Sequence, residues 1–166
     1  AACEGALLVV DATQGIQAQT LTNMYLALEN NLEIIPVINK IDLPASEPDR
    51  ISMELEQAFG FKESDMLFVS AKVGTGVKSV LDAIVEKIPA PTADITLPLQ
   101  ALIFDSMYNS YKGAVAYVRV FQGSLKTRDR IKMMASEATT EAMEIGVFNP
   151  HPTEINELFA GEVGYI

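Results

Sequence analysis

Hydrophobic and polar positions follow two different rhythms along the chain. Up to about residue 88, short unbroken apolar runs alternate with stretches in which apolar residues return every three or four positions. Ala6-Leu7-Leu8-Val9-Val10-Asp11 reads as a buried parallel strand, and Ile34-Ile35-Pro36-Val37-Ile38 as a second. Between them Leu21, Met24, Tyr25 and Leu28 predict an amphipathic helix from about Gln17 to Asn30, with that stripe in the core. Ile51, Leu55, Ala58 and Phe59 mark the next helical face, with Ser46 as its cap and Gly60 as its end. Met66-Leu67-Phe68-Val69 is a third strand. Val77, Val80, Leu81, Ile84 and Ile88 line a last helix, which Pro89 stops. Three strand–helix alternations predict a parallel sheet with helices on its faces.

The helical period ends at Pro89-Ala90-Pro91-Thr92-Ala93-Asp94-Ile95-Thr96-Leu97-Pro98. Beyond it, strand-like segments are expected at Leu99–Asp105, Ala114–Phe121, Arg130–Met134, Thr139–Phe148 and Val163–Ile166, separated by turn residues such as Gln122-Gly123 and Asn149-Pro150. Short strands at this spacing suggest a small antiparallel barrel. The predicted architecture is an α/β unit over 1–90, a proline-rich linker over 91–98 and an all-β barrel over 99–166, the barrel truncated.

Composition narrows the class. With 49% hydrophobic and 20% charged residues the chain is globular, not disordered. The net charge is −10: six basic face fourteen acidic side chains up to Thr96, and six face eight beyond it. Such a balance excludes a protein that grips nucleic acid over its whole surface, so any RNA contact is local. Cys3 is the only cysteine, which rules out an internal disulfide, fits a reducing compartment and is expected to be a small buried hydrophobe. No apolar run is long enough to span a bilayer. The chain opens without methionine, directly before a strand, and stops at Ile166 within another; it is expected to be a piece of a longer protein.

The candidate chemistry sits at two strand ends. Asn39-Lys40-Ile41-Asp42 follows the second strand, and Ser70-Ala71-Lys72 follows the third. In an α/β sheet, ligands bind beyond the carboxyl ends of the strands. A carboxylate such as Asp42 can accept both N1–H and N2–H of guanine, whereas adenine has a lone pair at N1 and no 2-amino group. Asn39 can donate toward the base or tie neighbouring loops, and the Lys40 stem can lie along the base plane. Ala71 lets a backbone N–H approach a ring oxygen, and Lys72 can cover the other face. Each motif alone is also compatible with an ordinary turn or loop; the pair in this order favours the base site.

Other motifs are weaker. Gly74-Thr75-Gly76-Val77-Lys78-Ser79 has phosphate-loop residues in the wrong order and reads as a flexible lead-in to a helix. Asp11-Ala12-Thr13-Gln14-Gly15 misses Asp-x-x-Gly spacing by one residue, so Asp11 is expected to end its strand with a turn. His151 lies between two prolines with no ligand set nearby. Lys126, Arg128, Arg130 and Lys132 alternate along an expected hairpin, which would put them on one face; a solvated face is favoured over an RNA contact. Glu54, Glu56, Glu63 and Asp65 are read as solvated surface.

With both halves placed, the chain resembles the translational GTPases, most closely the LepA (elongation factor 4) family. Val9-Val10-Asp11-Ala12 with Gly15 and Gln19-Thr20, Asn39-Lys40-Ile41-Asp42-Leu43-Pro44 and Ser70-Ala71-Lys72 look like the latter half of its P-loop G domain. Pro98–Ser106, Tyr111-Lys112-Gly113, Val118-Arg119-Val120, Gly123–Lys126 and Ala160–Ile166 look like its barrel domain II. One position departs: Arg128 stands where the family usually has glycine, and it is strained if the turn needs a positive φ.

The resemblance implies that Asp42 sets guanine preference, that Asn39 and Lys40 support the base, and that Ser70, Ala71 and Lys72 close over it. It implies GTP and GDP as ligands, Mg2+ in the parent protein, and a GTPase that acts on tRNA positions during elongation, in back-translocation. The implied partners are the ribosome, through rRNA and ribosomal proteins, and tRNA. A cytoplasmic location with peripheral association at the inner membrane face is also implied. Hydrolysis in such enzymes needs a phosphate loop, Mg2+ and a water-orienting histidine. None of these is in the sequence at the expected spacing, so residues 1–166 alone are expected to be inactive. The elongation translocase and a non-catalytic α/β-plus-barrel interaction module are the alternatives.

Overall fold

A run of β-branched residues at Glu33–Asn39 forms strand β2, the middle of a parallel sheet ordered β1-β2-β3 with Gly5–Asp11 (β1) and Leu67–Val69 (β3). The computed structural model describes residues 2–166 and divides them into two compact units that meet in sequence at Ala90 and Pro91. In the first unit the side chains of β2 alternate between two cores. Ile38 joins Leu8, Val10, Met24, Ile51, Leu55 and Met66 on one face, packed by helices Ala18–Glu29 (α1) and Pro48–Phe59 (α2). Ile35 and Val37 join Val69, Val80 and Ala83 on the other, under helix Val77–Lys87 (α3).

Several expectations for this unit change. β1 is parallel, but only one of its faces is buried. Leu8 and Val10 are inside, while Leu7 and Val9 are exposed, Val9 by 55%, because the core under α3 draws on β2 and β3 and not on the edge strand β1. Helix α1 buries Met24 alone; Leu21, Tyr25 and Leu28 remain exposed, so most of its apolar stripe is surface. Leu81 of α3 and Ala58 of α2 are exposed as well. Cys3 is exposed rather than buried, since it lies ahead of β1 where no core reaches. Ser46 does not cap α2: its Oγ donates to the Ile41 carbonyl at 3.2 Å, and Glu47 takes the cap position before Pro48. Gly60 ends α2 in the left-handed conformation, as its position suggests. The Gly74–Ser79 segment is a pinned turn rather than a flexible one. Ser70 N–H donates to Thr75 O and Gly74 N–H to Ser70 O, both at 2.9 Å. Gly76 is required there, since a Cβ would stand 2.4 Å from the Phe68 carbonyl oxygen.

The second unit is antiparallel. Gln100–Asn109 (β4), Gly113–Gln122 (β5), Gly146–Asn149 (β9), His151–Glu154 (β10) and Val163–Tyr165 (β12) form a sheet ordered β10-β9-β12-β5-β4. Ser124–Lys126 (β6) pairs with Glu157–Phe159 (β11), and Arg130–Lys132 (β7) with Thr139–Glu141 (β8). Val118 and Val120 of β5 point into a core with Leu125, Ala142, Ile145 and Leu158. The expected strand over Thr139–Phe148 is two strands, β8 and β9, and the short β6, β10 and β11 carry too few alternating residues to stand out in sequence. Gly146 lies under Tyr165, where a Cβ would be 2.2 Å from the ring.

The basic run also resolves differently. Lys126 ends β6, while Arg130 and Lys132 belong to β7 in another sheet. Between them Arg128 has φ 72°, so the strand alternation is broken and the four cations do not line one hairpin face. Arg128 therefore carries the left-handed strain that its departure from glycine implies.

Candidate guanine-base site

The parallel register brings the two motif loops together. β1 and β2 end level, with Asp11 opposite Asn39, and β2 and β3 end with Asn39 opposite Val69. Each motif begins where its strand stops, so both project from the same carboxyl edge of the sheet. The backbone ties the edge: Ala12 N–H donates to Asn39 O at 2.8 Å and Ile41 N–H to Val69 O at 3.3 Å.

Asn39 is the staple. Its Oδ1 accepts the Lys40 N–H at 2.8 Å and the Ala71 N–H at 3.0 Å, so one side chain satisfies a donor in each motif. Ser70 is fully buried, and its Oγ donates to Asp42 Oδ1 at 2.6 Å. The Asp42 carboxylate is thereby oriented while remaining exposed, and no hydrogen bond to its Oδ2 is seen among the described residues. Ala71 and Lys72 lie exposed on the loop. Asn39, Lys40, Asp42, Ser70 and Ala71 thus form one connected set. Lys72 is beside it without an ion pair or hydrogen bond of its side chain among the described residues.

Two features are not legible in the motifs alone. Lys40 adopts φ 69°, a left-handed conformation unusual for a lysine. Its Nζ makes an ion pair with Asp11 Oδ2 at 2.6 Å. Asp11 Oδ1 meanwhile accepts the Thr13 N–H at 2.8 Å and Thr13 Oγ1–H at 2.7 Å, and Gly15 N–H donates to Asp11 O at 2.9 Å, which is the turn expected at that strand end. The Lys40 ammonium, with the Thr13 donors, holds the Asp11 carboxyl at about 2, below its usual 3.8. The signal that could have found this pair is an aspartate closing the strand next to the lysine's own, in parallel.

The set presents one oriented carboxylate, Asp42, at the exposed carboxyl edge of the sheet. Asp11 is engaged on both oxygens, and no group of three or more His, Cys, Asp or Glu side chains among the described residues is placed to hold an ion. A groove of about 500 Å3 in the second unit is lined by apolar side chains such as Leu99, Ile103, Val118 and Leu125 together with Arg130 and Lys132.

Both units match known protein families. Residues 1–90 match the family model for the elongation factor Tu GTP binding domain, and residues 98–166 match that for elongation factor G domain 2. Over all 166 residues the chain is 58% identical to elongation factor 4 of Geobacillus thermodenitrificans and 57% identical to that of Bacillus subtilis. The chain belongs to the elongation factor Tu GTP binding domain family. It spans all of its own length but only 27% of the length of these curated relatives. The crystal structure of translation elongation factor SelB from Methanococcus maripaludis, apo form, superposes with a TM-score of 0.79 at 26% identity, covering 98% of this chain and 36% of that one. A G-domain-like α/β unit followed by a translation-factor-type β unit is therefore the fold.

Proposed function

We propose that this chain supplies the base-reading edge of a guanine-nucleotide site in a ribosomal GTPase of the elongation factor 4 type. The Asp42 carboxylate carries the reading. Ser70 fixes its Oδ1, its Oδ2 is open, and two acceptors on one rigid carboxylate suit N1–H and N2–H of guanine and no edge of adenine. Asn39 holds the Ser70-Ala71-Lys72 loop against this group by accepting the Ala71 N–H. Lys40 and Lys72 cover the two faces.

Residues 1–90 then act as the latter half of a GTP-binding domain, 91–98 as a linker and 99–166 as domain II. The nucleotides are GTP and GDP, with Mg2+ and the phosphates held by parts of the protein outside this stretch. The family and the second unit support the ribosome as partner, with tRNA as the object of its action in elongation and back-translocation. The cytoplasm is where such a factor works, and among the described residues no helix is long and apolar enough to cross a membrane. Peripheral attachment at the inner membrane face rests on the family resemblance alone.

Residues 1–166 lack a Gly-x-x-x-x-Gly-Lys-Ser/Thr sequence, so this stretch by itself is expected to show no GTP turnover above background. The decisive test is binding of GDP, ADP and xanthosine diphosphate to the full-length protein and its Asp42→Asn variant. Preference for GDP that passes to xanthosine diphosphate in the variant, where an amide meets the 2-oxo group, is the expected result. Equal binding of all three by the wild type would reduce both motifs to loops.

A further inference from the structure

Lys40 is fixed at both ends. Its backbone N–H is held by Asn39 Oδ1, its φ of 69° turns it out of the strand, and its ammonium is clamped 2.6 Å from Asp11 Oδ2. Its four methylenes run between these two anchors. Asp11 is itself set rigidly: it closes β1 in register with Asn39, Thr13 takes its other oxygen twice, and its side chain is 18% exposed against 52% for Lys40. A free lysine surrenders roughly 2 kcal/mol of rotamer freedom when ordered. Here that ordering is already done before any ligand arrives, at the modest worth of a half-exposed ion pair.

We propose that Asp11 is a positioning residue of the base site, holding the Lys40 ammonium at the end of β1 so that the lysine stem stands preformed as apolar surface for the face of the base. This rests on the guanine-site reading above. Asp11 touches no nucleotide; it acts through Lys40. The pair also neutralises the lysine, so Lys40 serves as a wall and Asp42 remains the charged reader of the edge.

The test is a double-mutant cycle on GDP affinity in the full-length protein, with a fluorescent N-methylanthraniloyl-GDP as probe. Asp11→Asn should weaken GDP about threefold to tenfold in the wild-type background. In a Lys40→Ala background, which has already lost the stem, the same change should have no further effect. Asp11→Glu, which keeps the carboxylate, should recover most of the affinity. An undiminished loss in the Lys40→Ala background, or no loss in the wild type, overturns the proposal. Lys40→Gln reads the pair from its other side if Asp11→Asn does not fold, and it should weaken GDP to a similar degree; unchanged affinity there likewise overturns the proposal. Failure of the underlying site is separate and visible: the wild type would then show no preference for GDP over ADP.

Discussion

Asn39 and Ala71 stand 32 positions apart in the chain, yet Asn39 Oδ1 accepts the Ala71 backbone N–H at 3.0 Å. The same oxygen accepts Lys40 N–H, so a single acceptor holds two strand-end loops in one arrangement. Asn39→Ala should leave both donors without this partner and destabilise the first unit by about 1–2 kcal/mol. GDP binding should fall further than stability does, because the Ser70-Ala71-Lys72 loop is no longer held to the Asp42 side. Asn39→Asp keeps an oxygen in place and should restore most of the stability. Thermal melting beside nucleotide titration separates the effects; an alanine variant that melts like the wild type contradicts the staple.

Ser70 makes the sharper case for orientation. It is fully buried at the foot of the loop and donates to Asp42 Oδ1 at 2.6 Å. Ser70→Ala removes a hydrogen bond to a charged acceptor, worth about 1.5–3 kcal/mol in the general case, less here because Asp42 is exposed. The carboxylate then samples several rotamers, and GDP should dissociate faster by roughly tenfold while the preference for guanine over adenine persists. Stopped-flow dissociation rates for GDP would show this; an unchanged rate would mean that Asp42 is oriented by something else.

How much of this was legible in the sequence follows from what each signal measures. The three apolar runs located β1, β2 and β3, and in the central strand β2 the continuous run matches burial on both faces. The two motifs fall at one carboxyl edge of the sheet because strand ends are where such runs stop. Burial face by face was less legible. Leu7, Val9, Tyr25 and Leu28 have core chemistry but lie exposed, since periodicity reports which residues could be covered and not whether a partner covers them. The Asp11–Lys40 pair depends on register between strands 28 residues apart in sequence, which no local pattern encodes. Short strands such as β6 and β11, three residues each, fall below any periodic signal.

Protonation of Asp11 gives a prediction with a definite sign. Its carboxyl titrates at about 2 in the folded state against 3.8 ordinarily, because Lys40 and then Thr13 favour the charged form. A depressed carboxyl contributes stability above its unfolded value and loses it as pH falls through the folded one. The stability gap between wild type and Asp11→Asn should therefore be flat from pH 5 to 8, at roughly 1 kcal/mol for a partly exposed pair, and close between about pH 4 and 2. Denaturant melts of both proteins across that range check it. A gap that widens on acidification is incompatible with the pair.

Arg128 offers a position where a substitution should stabilise. Its φ of 72° lies in the left-handed region, where a Cβ costs about 1 kcal/mol or more, and its N–H is committed to the Ala142 carbonyl at 2.7 Å. The turn around it is closed by Asp129, whose N–H donates to Lys126 O at 3.0 Å and whose Oδ2 accepts Lys126 N–H at 2.8 Å. These bonds hold the conformation whatever side chain stands at 128. Arg128→Gly removes the strain, partly offset by the greater freedom of glycine in the unfolded chain, for a net gain of about 0.5–1 kcal/mol. Arg130→Gly, two residues on in the extended strand β7, has no strain to relieve and should lose about as much. Opposite shifts in the melting of the second unit are expected; a fall in both would show that the turn draws stability from the Arg128 side chain itself.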